Sequence, residues 1–153
     1  IPDASFSVSS KKPPLQFTDN SFSGVTAISI WSHFSDFAAL EWFDEMHRII
    51  KPGGWLFFTT HGLNTVLRSL SRKKKAQRRF RAIFEGLLGS DFVFEETILQ
   101  KGDIKDVTEV DWGNSYFRPD WMMKNLCDKW NILHFNPGKN QNNQDVYLLQ
   151  SRL

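Results

Sequence analysis

Cysteine is nearly absent: Cys127 is the only one in 153 residues. That excludes a disulfide framework and a cysteine-built metal site, and it is compatible with a reducing compartment. No apolar run approaches the roughly 20 residues a membrane span needs, and no charged start followed by an apolar centre marks a secretory signal. The chain therefore reads as soluble and cytoplasmic, without a transmembrane segment. No histidines and carboxylates share a helix face at ligand spacing, so no metal site is expected. Methionine is missing from position 1, which is Ile1, so the sequence reads as a processed or truncated piece of something longer.

Acidic residues are missing from one long interval. Between Glu45 and Glu85 there are none, while ten of the 19 basic residues, from Arg48 to Arg81, fall there. The other nine face all 17 Asp and Glu, so the net charge of +2 conceals a basic centre in an otherwise acidic chain. The segment RSLSRKKKAQRRFR, residues 68–81, admits three readings: an RNA partner, an anionic membrane surface, glycan or phosphorylated substrate, or a solvated helix in a lid. Nucleic acid is the least favoured, because only Phe80 offers a base-stacking ring within the run.

What is present is enough for one core: 41% of residues are hydrophobic and 14% aromatic. SFSVS (5–9) fits a short strand, and the prolines and glycine of KKPPLQFTDNSFSG mark a loop. VTAISIW (25–31) is a β-branched run suited to a buried strand. Ser35 or Asp36 can cap a helix through FAALEWFDEMHRII, where Leu40, Phe43, His47 and Ile50 share a stripe. Lys51-Pro52-Gly53-Gly54 stops that helix, and WLFFTT (55–60) continues as a strand ending at His61. Strand, helix and strand with short connections make a right-handed βαβ unit. Residues 63–88 read as helical, FVFEETI as extended, and an irregular acidic stretch runs to Trp112. RPDWMMKNLCDKW reads as a helix opened by Pro119. WNILHF and QDVYLLQ form an antiparallel hairpin across the polar tip NPGKNQNN. The expected architecture is α/β, with mostly parallel strands, a C-terminal antiparallel hairpin and helices on both faces. It forms a single domain over 1–153 with a basic helix and lid-like insert at 63–118.

Two segments carry a family resemblance. PPLQFTDNSFSGVTAISIWSHF resembles the "LPFPDNSFDVV…S.FSH" segment of class I, S-adenosylmethionine-dependent methyltransferases of the type-11/type-12 group, and HRIIKPGGWLFFTT resembles their "LHRVLKPGGRLLLTT" segment. The match is best over 13–61 and looser over 112–150. It implies a Rossmann-like methyltransferase sheet that is truncated. The family's E/D-x-G-x-G-x-G loop, which cradles the cofactor, and its ribose-binding acidic residue are not in this sequence. About two βα units, on the order of 60 residues, are implied upstream. Ser23 also departs from the family, which usually has Asp there.

The resemblance implies S-adenosylmethionine as cofactor and methyl transfer by in-line displacement to an oxygen or nitrogen of a small molecule or glycan. By position, Ser9 or Ser10 would meet the adenine amine, and Ser29, Ile30 and Trp31, after the family's fourth strand, would line the methionine end. His33 and His61 share the rim as candidate bases or orienting groups. Trp112, Asn114 and Tyr116 are candidate acceptor contacts. The structural readings stand beside these: a plain turn at Ser9–Ser10, helix support by His33, a turn contact for His61, and core packing for the aromatics. His47 and His134 read as partly buried structural residues. Lacking the glycine loop, the chain alone should bind cofactor weakly and be inactive. A competing function is a non-catalytic module that holds an anionic partner on the basic helix. Truncation would also expose strand 25–31 to pairing with a second copy.

Overall fold

Residues 3–72, 77–96 and 112–153 are described by a computed structural model. The acidic stretch 97–111 and residues 73–76 of the basic run lie outside the described residues.

The expected strand at 25–31 lies several residues earlier: β1 spans Phe22–Ala27. It ends there because the Ser29 amide donates to Thr59 Oγ1 at 2.9 Å while Ser29 adopts φ +62°, which turns the chain. Trp31 then drops into the core at 1% exposure, and Trp31–His33 form one 3-10 turn. SFSVS forms no strand. Phe6 and Val8 are each 94% exposed, and so short a run gains little without a ladder to join.

Helix α1, Asp36–Ile49, begins where Ser35 Oγ accepts from the Ala38 amide, with Asp36 in the first turn and His47 and Arg48 in the last. It buries Ala38, Ala39, Phe43, Met46 and Ile49. β2 runs Ile50–Thr60, so strand geometry starts before KPGG rather than after it. The register with β1 jumps from Phe22–Ile50 to Gly24–Trp55, and KPGG forms the irregularity. Gly53 has φ +76°, and a Cβ on Gly54 would lie 2.8 Å from the Ser23 carbonyl oxygen, so both glycines are required.

The expected helical run 63–88 is two helices, α2 Leu63–Arg72 and α3 Gln77–Gly89. β3, Phe92–Glu96, pairs antiparallel with β4, Gly113–Phe117, as a separate ribbon. α4 is Pro119–Leu126, shorter than expected because Trp130 already belongs to β5, Trp130–Asn140. β6 is Gln144–Ser151, and the hairpin tip shrinks to three residues. His134 is exposed on β5 rather than partly buried.

The main sheet has the order β1-β2-β6-β5, with β1 and β2 parallel and β6 antiparallel to both its neighbours. Three strands therefore share a direction, and their carboxyl ends, at Ala27, Thr60 and Asn140, form one rim. Among the described residues β1 is an edge strand with one neighbour, β2. One face packs Leu56, Phe58, Tyr147 and Leu149 against α1 and α4 through Phe43, Trp121 and Met122. On the opposite face Phe57 and Leu148 are half-buried and Trp55 is 43% exposed. A second cluster, Val66, Ile83, Leu87 and Tyr116, joins α2 and α3 to the ribbon. No helix among the described residues is long and apolar enough to cross a membrane.

Candidate functional site

The rim is built where β1 and β2 end and the β3–β4 ribbon crosses them. Isolated bridges join Phe34 to Trp112 and His61 to Tyr116. The Phe117 amide donates to the His61 carbonyl at 2.9 Å. These ties bring two imidazoles together, with ring centroids 6.4 Å apart at 74°.

His33 Nδ1 lies 2.9 Å from the Gly113 carbonyl oxygen. A carbonyl only accepts, so Nδ1 carries the proton and, in the neutral ring, Nε2 keeps the lone pair. The same ring stacks on Trp112 at 4.9 Å. His61 stacks on Tyr116 at 5.3 Å, and its Nδ1 is buried without a partner among the described residues. Burial, reinforced by neighbouring His33, pushes the His61 pKa down to about 4, so the imidazole is neutral near pH 7. Burial first, and then the charge of Glu95, raises the Tyr116 phenol to about 12, so it stays protonated.

Beneath the histidines lies a buried polar lattice. Gln144 Nε2 donates to Ser29 Oγ at 2.7 Å, and Gln144 Oε1 accepts from Thr59 Oγ1 at 2.7 Å and from Asn140 Nδ2 at 3.1 Å. This lattice fixes the left-handed Ser29 and leaves the flanking Ile28 and Ile30 53% and 42% exposed at the end of β1. Next to it, Asp145 is buried against Gly62 and accepts from the Gly138 amide at 2.8 Å. Burial raises its pKa to about 6.

A cleft of about 460 Å³ opens beside His61. Its walls are Thr65, Arg68 and Ser69 of α2, Arg79 and Phe80 of α3, Asn114 and Tyr116 of β4, and the hairpin residues Gln141 and Asn143. The hairpin tip holds α2 in place: Thr65 Oγ1 donates to the Asn143 carbonyl at 2.8 Å, and Arg68 donates to those of Gln141 and Asn142. Arg79 is paired with Glu95, its Nη2 2.6 Å from Oε2.

His33, His61, Trp112, Asn114 and Tyr116 thus converge on one place. Ser29 lies in the lattice below them, Ile30 faces solvent, and Trp31 is a core residue whose indole donates to the Ala39 carbonyl at 3.3 Å. Ser9 and Ser10 sit apart, exposed, with hydroxyls donating to the Ser10 and Pro14 carbonyls. Sequence reasoning missed Gln144, Asp145 and the cleft role of Arg68. The first two are placed by hairpin register and Arg68 by tertiary docking, neither of which leaves a local pattern.

Residues 6–58 match the family model described as a methyltransferase domain. Among solved structures, an S-adenosylmethionine-dependent methyltransferase from Methanosarcina mazei superposes with a TM-score of 0.57 at 17% identity, covering 92% of this chain and 64% of that one. A protein from Pyrococcus horikoshii OT3 superposes at 0.52 with 15% identity, covering 91% and 56%. The chain is thus a methyltransferase-type α/β fold that spans less than two thirds of the length of either structure. No curated protein matches it in sequence.

Proposed function

We propose that this chain forms the acceptor-facing part of a class I methyltransferase, and that methyl transfer from S-adenosylmethionine to an oxygen or nitrogen of a small molecule or glycan takes place above His33 and His61. The observation that carries the reading is the convergence of two imidazoles at the carboxyl rim of the parallel β1–β2 pair, within the stretch that matches a methyltransferase domain and just beyond it.

The residues present fit one wall of the cofactor. Ile28 and Ile30 leave apolar surface at the end of β1 where no core demands it, and Ser29 between them is held by Thr59 at its backbone amide and by Gln144 at its hydroxyl. These residues would hold the methionine end, and Ser9 and Ser10 remain accessible to an adenine amine. When bound, S-adenosylmethionine supplies a sulfonium methyl carbon that a lone pair displaces in line, the electron pair of the broken bond returning to sulfur.

Such a displacement asks the protein mainly for position and dryness. Trp112 and Tyr116 cover one face of each imidazole, limiting water there. The neutral His61 ring and His33 Nε2 are lone-pair acceptors for the proton of an attacking hydroxyl or amine. The side of β1 that is unpaired among the described residues is where strands carrying a glycine loop would pair, or, without them, a second copy of the chain. The chain alone should therefore bind cofactor weakly.

The test is transfer of a labelled methyl group by the natural full-length protein. His61→Ala should lower the rate about 10²-fold or more, with His33→Ala also impaired. A full-length protein that neither binds the cofactor nor transfers methyl would overturn the reading.

A further inference from the structure

Resting on that reading, we propose that the acceptor carries an oxyanion, a carboxylate or a phosphate on a small molecule, seated against Arg68 in the cleft beside His61. Among the described residues, the walls of the cleft include two guanidinium groups and no carboxylate. The two arginines differ in one respect. Arg79 is neutralised by both carboxylate oxygens of Glu95, at 2.6 to 3.0 Å. Arg68 donates through Nη1 to two backbone carbonyls, which orient the side chain without cancelling its charge, and no carboxylate among the described residues pairs with it.

Arg68 is thus a positioned cation. A guanidinium held through one nitrogen keeps other N–H groups for a second partner, and its planar fork suits the paired oxygens of a carboxylate or phosphate. Ser69 on the same wall adds a hydroxyl. Phe80 and Tyr116 give the cleft an apolar side, and its volume of about 460 Å³ is that of a small-molecule site. Arg68 and His61 line the same space, so an acceptor anchored by its anion at one end presents a hydroxyl or amine to the imidazole at the other.

The test titrates the isotope-labelled protein with inorganic phosphate and, separately, acetate at constant ionic strength, reading the ring proton signals of His61 and Tyr116 by NMR. At least one of the two anions should give a saturating shift, which then identifies the preferred oxyanion. Arg68→Gln should weaken it tenfold or more. Because Arg68 also holds the hairpin tip, Ser69→Glu supplies a second variant that places a carboxylate in the cleft, and it should weaken binding to a similar degree. Shifts that rise linearly for both anions, or that both variants leave unchanged, overturn the proposal. Saturable binding by a full-length protein without methyl transfer would uphold the anion site and defeat the methyltransferase reading. Transfer to neutral acceptors at a rate indifferent to phosphate and to Arg68→Gln would do the reverse.

Discussion

His33 and His61 meet edge to face, 6.4 Å apart, and each imidazole is backed by an aromatic ring, Trp112 just before β4 for one and Tyr116 within β4 for the other. The arrangement keeps His61 uncharged, and it has a counterpart in Asp145, whose burial favours the protonated acid.

Their pH effects oppose each other. The His61 pKa is depressed from 6.5 to about 4, so its contribution to stability is present above pH 6.5 and is lost as pH falls toward 4. The Asp145 pKa is raised from 3.8 to about 6, so its contribution is present below pH 3.8 and is lost as pH rises through 6. The two should largely cancel between pH 4 and 6. Relative to wild type, His61→Gln should become less stable as pH rises across that window and Asp145→Asn more stable, each by roughly 1–3 kcal/mol. Urea unfolding at stepped pH measures both slopes, and parallel curves for all three proteins would refute the assignment.

Gly62 is a matter of space. A Cβ there would sit 1.9 Å from Asp145 Oδ2, so Gly62→Ala should cost roughly 1–3 kcal/mol. Shortening the acid by Asp145→Ser should recover part of the loss in a double-mutant cycle. Additive costs would show that the two positions do not touch.

Glu45 ties the loop before β1 to α1. Its carboxylate accepts from the Leu15 amide at 2.7 Å and from Arg48 at 2.6 and 2.9 Å, and Arg48 also reaches Asp19. The Arg48 bond is the main reason its pKa lies below the usual value. Glu45→Ala should cost roughly 1–3 kcal/mol, leaving the Leu15 amide and part of Arg48 unpaired. The released loop should also be cleaved faster by protease; unchanged cleavage would separate the loop from this contact.

Trp31 fills the centre of the core between Phe43 and Phe58, at ring distances of 4.6 and 5.3 Å. Trp31→Ala should lose about 3–5 kcal/mol, whereas Trp31→Phe should be milder. Equal and small losses from both would place the indole outside the core.

Legibility followed locality. The cap at Ser35, the stripe of α1 and the punctuation at KPGG are written within a few residues of where they act, and a strand delivering His61 to the rim could be read from them. The end of β1 could not be, because it depends on Thr59 capturing the Ser29 amide from the neighbouring strand. The β5–β6 tip looked long because Asn136-Pro137-Gly138 resembles a turn, yet it is an irregularity within β5, with Gly138 at φ +66°, and pairing with β6 resumes at Asn140. His33 and His61 could be named because each follows a strand. The cation that shares the cleft with His61 could not, since Arg68 belongs to a run of like residues and only docking singles it out.

That docking sets an order of events on the ribosome. Arg68 waits for carbonyls 73 and 74 residues further along the chain. At about 5–20 residues per second, α2 emerges roughly 4–15 seconds before the hairpin tip that fixes it. Until then the Arg68 guanidinium lacks the carbonyls that orient it, and the cleft takes its shape around that cation only when the last hairpin has been made.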